Sequence, residues 1–432
     1  MDTKKIYVAS VACYIVQTET NHIASYFRNN GYQLVDSCEK ADAIILTTCA
    51  VTQEASDYSL KVINDYLEKR KPEASLYIVG CYNRIEKDRI LELKGIKNVF
   101  SVPEYRDLER IFPSETSFSS TVYNDFFGHP FAEQKLKEGA KCVSLRTRVL
   151  QGVLHTMDRV LKSDIRFRYL LRNGHLYNPI VQRSIWPVIV SKGCVYRCSY
   201  CAVRIGRGDY VSKPMDVVLD EIKAGMGKKY KKILLIADEI GTYGIDLKNG
   251  TSLARLLERL DSVEFPAMFG MWYLDAFRLK QAMPVLERLN SKNKIFFLGI
   301  TIQHGSQGIL KLMNRRYSLE YTMEAIKTLR ENPSLIIATQ IMVGFPSETD
   351  ADFEKSLAIV KTGYFDDVEV YCYSPRPGTK AAEMTDDVPD KVKEERANQL
   401  RNIASVLGKR LLSQSIKHDV LSEFGSSPRI SH

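Results

Sequence analysis

The sequence predicts an α/β protein in which an N-terminal domain with an open parallel sheet is followed by a partial (β/α)6 barrel and a C-terminal helix. In residues 5–112, short apolar runs of strand length alternate with longer segments of helical periodicity. The same alternation resumes at Trp186 through six strand-length runs, and residues 390–412 then form one charged helical pattern. This alternation is typical of parallel sheets, because each parallel connection needs a crossover.

The composition indicates a soluble globular protein of two or three domains, with 432 residues, 44% hydrophobic and 26% charged. The N-terminus lacks the apolar core of a signal peptide, and no run reaches the ~18 apolar residues of a membrane helix. We therefore expect a cytoplasmic protein with no membrane partner. The predicted regions are an N-terminal α/β domain (1–112), a linker with a basic helical insertion (113–184), the partial barrel (185–385), and a C-terminal helix and tail (386–432).

Three cysteines mark the predicted N-terminal strands KIYVASV, AIILTTC and LYIVGC. Cys13 follows the first strand, and Cys49 and Cys81 end the second and third. The carboxyl ends of parallel strands face one crevice, so these thiols are predicted to converge there. The alternative is three separately buried apolar cysteines, which is a common environment for this residue.

Residues 133–183 carry 11 Lys or Arg and 4 Asp or Glu, a net charge of +7 within a chain whose total is +9. The region is predicted to form basic amphipathic helices. Its arginines form either a solvated basic face or a surface for phosphate backbones or acidic partners. The recurring arginines are Arg146, Arg148, Arg159, Arg166, Arg168 and Arg172.

The barrel region contains a helix predicted from Asp350 to Thr362, with Gly363 as its C-cap. The strands are predicted from six apolar runs, WPVIVS, KILLIAD, AMFGMWYL, IFFLGIT, LIIATQIMVGF and VEVYCYS. Trp272 and Tyr273, in the third of these runs, are interpreted as packing residues and not as base-stacking residues.

Three further cysteines, Cys194, Cys198 and Cys201, directly follow the first barrel strand with the spacing Cys-x3-Cys-x2-Cys. Barrel enzymes build active sites at this end of the strands. The spacing favours a thiolate-held iron-sulfur cluster. Zinc is the alternative, but structural zinc takes four protein ligands, and this loop has no histidine. The remaining cysteines, Cys38, Cys142 and Cys372, are expected to have no function in a cluster.

This spacing, with Tyr200 before the last cysteine, resembles the signature of radical S-adenosylmethionine (SAM) enzymes. The two triads together resemble the methylthiotransferase branch of that family, as do GRGDYVSKP, IGTYGID, IQHGSQGILKLMNRRY, VGFPSETDADFE and SPRPGTKAAEM. The resemblance implies two [4Fe-4S] clusters, one on each triad. In the barrel cluster the fourth iron is left for the amine and carboxylate of SAM.

The resemblance also implies contacts with SAM. Asp238 and Glu239 would accept hydrogen bonds from its amine or ribose, or would cap their own loop. Arg207 would pair with its carboxylate, or would lie at the surface. Gln303 and His304 lie at another strand end facing the same mouth, with a structural role as the alternative for His304. Tyr200 is included among these cofactor-binding residues.

The chain departs from the family pattern at Ala12, at Ala237-Asp238-Glu239 and at Gln340. The resemblance further implies that the C-terminal TRAM domain of the family is absent, because about fifty residues follow Gly378 and predict a helix and a tail. These differences do not change the expected chemistry, but they leave the identity of the substrate undetermined.

The expected activity is methylthio insertion at an unactivated C–H bond, with a modified tRNA adenosine as the favoured substrate. The alternative substrates are a peptide, a ribosomal protein or a small molecule. A non-catalytic iron-sulfur electron carrier or sensor is the competing class. The resemblance implies an electron donor such as flavodoxin or ferredoxin, and the sulfur donor is undetermined.

Overall fold

The structure, a computed structural model, describes residues 4–118, 185–262 and 267–424. The basic insertion, its arginines and Cys142 lie outside the described residues. The chain divides into two compact units. Within the described residues, unit 1 comprises 4–118, 192–211 and 374–384, and unit 2 comprises the remainder.

Unit 1 is built on a five-stranded sheet, ordered β2-β1-β3-β4-β5, in which every neighbouring pair is parallel. Its strands are β1 Lys5–Ser10, β2 Gln33–Leu34, β3 Ala43–Thr48, β4 Ser75–Gly80 and β5 Val99–Val102. Its α-helices are Tyr14–Asn29, Gln53–Lys69, Tyr82–Ile85, Lys87–Lys94, Leu108–Ile111 and Val203–Arg207, and its 3-10 helices are Cys38–Lys40, Tyr105–Asp107 and Lys380–Glu383.

Both faces of this sheet are covered, which explains why its central strands have near-continuous apolar sequences. Ile44 and Leu46 of β3 belong to one apolar layer, whereas Ala43 and Ile45 belong to the other. The predicted open parallel sheet is confirmed. The strands β2 and β5, only two and four residues long, were absent from the sequence prediction because such short strands carry little periodic pattern.

Unit 2 contains a six-stranded parallel sheet in the order β6-β9-β10-β11-β12-β13. Each strand lies beside the next long strand of the chain, as expected for an open barrel of successive β/α units. Its strands are β6 Trp186–Ile189, β9 Lys232–Ile236, β10 Met268–Asp275, β11 Ile295–Gln303, β12 Ile336–Val343 and β13 Asp367–Cys372. The two-residue strands β7 Ser191–Lys192 and β8 Val211–Ser212 each have one residue in each unit.

The helices of unit 2 follow the predicted alternation. The helix Asp350–Lys361 begins with a capping box between Thr349 and Asp352, and Gly363 follows it with a φ of 71°. The other helices are Met215–Gly227, Leu253–Ser262, Ala276–Ser291, Gln307–Leu312, Leu319–Leu329 and Asp390–Phe424, with a 3-10 turn at Ile240–Thr242. Among the helices described, none combines the length and the apolar character needed to span a membrane.

Candidate functional site

The N-terminal cysteines lie at the carboxyl edge of the unit 1 sheet, on three adjacent strands. Thr48 pairs with Gly80, so Cys49 and Cys81 each follow one member of that register pair. Cys13 follows β1 and is the N-cap of the helix Tyr14–Asn29. In a sheet of order 2-1-3-4-5, the point between β1 and β3 is a topological switch point, where α/β sheets bind ligands.

The surroundings of these thiols are tightly packed. Cys13 and Cys49 share a small apolar cluster with Val16. Cys81 is 2% exposed and lies against Gly206. A Cβ added to Gly206 would lie 2.9 Å from the Cβ of Cys81 and 3.2 Å from its Sγ, so a larger side chain would displace the cysteine. A glycine therefore lets the helix Val203–Arg207 approach this thiol.

The second triad lies on the loop that leads into that helix. Gly193 begins the loop with a φ of 82°, and an added Cβ would lie 3.0 Å from the carbonyl oxygen of Asp209. The Cys201 N–H donates to the carbonyl of Cys198 at 3.2 Å. Cys194, Cys198, Tyr200 and Cys201 are all partly exposed, so the loop presents its thiols where a cofactor can reach them.

The six cysteine thiols are chemically suited to hold iron-sulfur clusters, since three of them lie on one loop and three at one sheet edge. Thiolates are the soft ligands that iron-sulfur clusters use. In the described part of the chain, no three Cys, His, Asp or Glu side chains are arranged as a set that could hold a single metal ion.

A buried ion pair attaches the second loop to the first helix. Arg207 is 5% exposed, and its two terminal nitrogens donate to both carboxylate oxygens of Glu19 at 2.8 and 2.6 Å. Burial raises the pKa of Glu19, but the charge and hydrogen bonds of Arg207 more than offset this, so the net pKa is lowered. Arg207 thus has a carboxylate partner within the protein, and its predicted contact with SAM stays a prediction.

A second buried arginine, Arg376, holds the segment after Cys49. Its Nε–H donates to the carbonyl of Ala50 at 3.1 Å, and Nη1 donates to Oε1 of Gln53 at 2.6 Å. Nη2 pairs with Glu86. The sequence prediction missed Glu19, Glu86 and Arg376 as site residues. Arg207 and Glu19 are 188 residues apart and Arg376 and Glu86 are 290 apart, so no local pattern links either pair.

In unit 2, Glu239 follows β9 and is 4% exposed. Its Oε1 accepts hydrogen bonds from the backbone N–H groups of Gly241 at 2.7 Å and Asp275 at 3.1 Å. Oε2 has no hydrogen-bond partner among the described residues. Burial and then the charge of Asp275 raise the pKa of Glu239 to about 7. The neighbouring Asp238 is partly exposed.

The other predicted unit 2 residues lie at the end of β11. Gln303 is 7% exposed and donates to Oε1 of Gln340 at 3.1 Å. His304 is fully buried, its Nδ1 accepts from the Ser306 N–H at 2.9 Å, and its Nε2 therefore donates to Glu348 at 3.0 Å. Both ring nitrogens are thus used within the protein, and contacts of Gln303 and His304 with SAM stay predictions.

Comparison with protein families matches two models to this chain. Residues 188–360 match the radical SAM superfamily, and residues 5–101 match the uncharacterized protein family UPF0004. These matches cover the barrel loop that carries Cys194, Cys198 and Cys201, and the sheet that carries Cys13, Cys49 and Cys81.

Two curated relatives span most of the chain, and both are named tRNA-2-methylthio-N(6)-dimethylallyladenosine synthase. The protein of Fervidobacterium nodosum is 28% identical over 413 residues, which are 94% of this chain and 84% of the relative. The protein of Bacillus subtilis is 27% identical over 434 residues, covering 96% of this chain and 74% of the relative.

Among solved structures, a radical S-adenosylmethionine methyltransferase, TsrM from Kitasatospora setae, superposes with a TM-score of 0.56 at 11% identity. The superposition covers 88% of this chain and 74% of that protein. At this identity the likeness concerns the fold alone.

Proposed function

Because the chain is a radical SAM enzyme with an N-terminal UPF0004 domain, using iron-sulfur clusters and SAM, we propose that it transfers a methylthio group to a carbon of a modified adenosine in tRNA. The observation that carries the proposal is the presence of both cysteine triads in one compact unit. The names of the relatives support tRNA as the substrate.

In this proposal each triad has one task. Cys194, Cys198 and Cys201 hold the cluster that binds SAM, and the triad of Cys13, Cys49 and Cys81 holds the cluster that carries the sulfur. When bound, these groups supply the electron, the radical chemistry and the methyl group. The remaining work of the chain is to bind and orient, and the Arg207–Glu19 pair keeps the SAM-cluster loop on the helix that begins after Cys13.

Glu239 is the residue that we assign to the SAM amine, since Oε2 is buried and has no hydrogen-bond partner among the described residues. An ionised carboxylate there gains a charge-assisted hydrogen bond. The expected contacts of Asp238, Gln303, His304, Tyr200 and Arg207 with SAM stay predictions. Flavodoxin or ferredoxin is the proposed electron donor. The division of the chain into the regions 1–112, 113–184, 185–385 and 386–432 stays a prediction.

The affinity for SAM is expected to depend on pH through Glu239. With a pKa of about 7, its carboxyl is mostly protonated below neutrality, and the ionised form accepts a stronger hydrogen bond from the amine than the protonated form does. We expect the Kd for SAM to rise about tenfold per pH unit as the pH falls below 7. Anaerobic calorimetry measures this slope. Glu239→Gln should reduce it, because only the proton of the SAM amine then still titrates, and Glu221→Gln should retain it. A wild-type Kd that is constant between pH 6 and 7 would contradict the assignment.

Anaerobically reconstituted protein is expected to bind about eight irons, as two [4Fe-4S] clusters. Replacing Cys13, Cys49 and Cys81 by alanine should leave about half of the iron, and so should replacing Cys194, Cys198 and Cys201. Iron and sulfide analysis with Mössbauer spectroscopy checks both values. Full iron content in either triple variant would show that the triad is not a cluster site.

The function itself is tested by incubating the reconstituted enzyme with SAM, a reductant, a sulfide source and tRNA that carries the unmodified target base. Mass analysis of the tRNA nucleosides should show a methylthioadenosine. Product on peptides but not on tRNA would refute the tRNA assignment. Absence of any SAM-dependent product, with SAM leaving the cluster's EPR spectrum unchanged, would favour the electron-carrier class.

A further inference from the structure

The segment 374–384 contacts both cysteine regions of unit 1. It follows β13 in the chain and belongs to unit 1, as do the loop triad (Cys194, Cys198 and Cys201) and the sheet-edge triad (Cys13, Cys49 and Cys81). The Ala381 N–H donates at 2.8 Å to the carbonyl of Ser199, which lies within the loop triad. An added Cβ on Gly378 would lie 3.1 Å from the side chain of Ile205. The segment therefore packs against the loop and against the helix that follows it.

The other end of the segment reaches the sheet-edge triad through Arg376. This residue is 2% exposed. Its Nε–H donates at 3.1 Å to the carbonyl of Ala50, which directly follows Cys49. Its Nη2 pairs with Glu86, the C-cap of the short helix that begins after Cys81. Arg376 thus contacts the chain beside two of the three sheet-edge thiols.

Buried hydroxyl groups complete this arrangement. Ser59 is fully buried, and its Oγ accepts from the N–H of Cys49 at 3.2 Å and donates to the carbonyl of Cys49 at 2.7 Å. Ser56, also fully buried, donates at 2.7 Å to the Glu86 oxygen that Arg376 contacts. Because a guanidinium is a rigid planar group, it holds its acceptors at fixed relative positions. The chain after Cys49 and the helix after Cys81 are therefore held together.

We propose that Arg376 is a positioning residue that holds Cys49 and Cys81 where they act as ligands of the sheet-edge cluster. The proposal rests on the function proposed above, which assigns the sheet-edge triad to a cluster. Arg376 acts through Ala50 and Glu86, and this role needs no contact with the cluster itself. An arginine that served only the stability of unit 1 would affect both triads alike, because both lie in that unit.

The test follows iron release from each site by itself in the reconstituted chain. Replacing the loop triad by alanine leaves only the sheet-edge cluster, whose iron the chelator bathophenanthroline extracts at a measurable rate. In this background Arg376→Met should speed iron release about tenfold or more, because residues that orient metal ligands have effects of this size. It should also change the EPR spectrum of the reduced cluster. With the sheet-edge triad replaced instead, Arg376→Met should leave the release rate and the spectrum of the loop cluster unchanged.

Two further variants separate the placement of the ligands from buried charge and from stability. Arg376→Met combined with Glu86→Gln leaves no unpaired charge, so it should recover most of the lost stability and keep the fast iron release. Arg330→Met is the matched control in unit 2, because Arg330 is mostly buried and donates to two backbone carbonyls and one carboxylate. It should destabilise the protein in urea unfolding and leave iron release from both clusters unchanged.

Three results would overturn the positioning role of Arg376. They are equal acceleration of iron release from both sites, a wild-type release rate in the double variant, and faster release from the sheet-edge cluster in Arg330→Met. Failure of the cluster assignment is distinguishable from these. A sheet-edge triad that binds no iron would refute that assignment and this proposal with it, whereas a loaded site whose release rate ignores Arg376→Met would overturn the positioning role alone.

Discussion

Replacing Cys13, Cys49 and Cys81 together by alanine is expected to abolish methylthiolated tRNA while dithionite-driven formation of 5′-deoxyadenosine continues. SAM cleavage depends on the loop with Cys194, Cys198 and Cys201, whereas the sulfur is proposed to reside at the sheet edge. Losing the sheet-edge thiolates removes the ligands of the second cluster and leaves those of the first in place. Liquid chromatography with mass detection quantifies both products in the same reaction.

Cys38→Ala provides the matched control for this triple variant. Cys38 is 5% exposed and packs in the same apolar layer as Cys81, but it lies outside both triads. The Cys38→Ala variant loses a packed thiol but no proposed cluster ligand. It should therefore still form both products. If the triple variant also lost 5′-deoxyadenosine formation while its remaining cluster stayed intact by EPR, the division of tasks between the triads would be wrong.

Arg207→Ala is expected to lower the free energy of unfolding by about 3–5 kcal/mol, because it leaves the carboxylate of Glu19 buried without its partner. The pair is almost fully enclosed, with side chains 5% and 7% exposed. Arg207 ends the helix that packs on Cys81, so the variant should also lose iron from the loop triad. Urea unfolding followed by circular dichroism, together with iron analysis, measures both effects.

Two controls separate the buried charge from the loss of a side chain. The double variant Arg207→Met with Glu19→Gln removes both charges, and it should recover most of the lost stability. Arg89→Ala breaks a pair with Asp57 whose side chains are 36% and 57% exposed, so it should cost no more than about 1 kcal/mol. Equal destabilisation by Arg207→Ala and Arg89→Ala would mean that the buried pair does not hold the loop.

Several features of the fold could be predicted from local sequence alone. The strands β1, β3 and β4 are buried on both faces, so each appears as a mainly apolar run with a cysteine just beyond its end. The barrel strands and the capped helix Asp350–Lys361 follow from the same short-range patterns. Periodicity and capping reflect neighbours in the chain, and a single sequence contains that information directly.

Other features depend on contacts between distant parts of the chain. Arg207 meets Glu19, and Arg376 meets Ala50, only because the segments that carry the two arginines pack on the N-terminal sheet. The raised pKa of Glu239 requires burial and the nearby Asp275, neither of which a motif reports. The sequence by itself determined the parallel strands and the cysteines at their ends. The tertiary structure decided which charges are buried together, because burial and pairing are properties of side chains that meet in space.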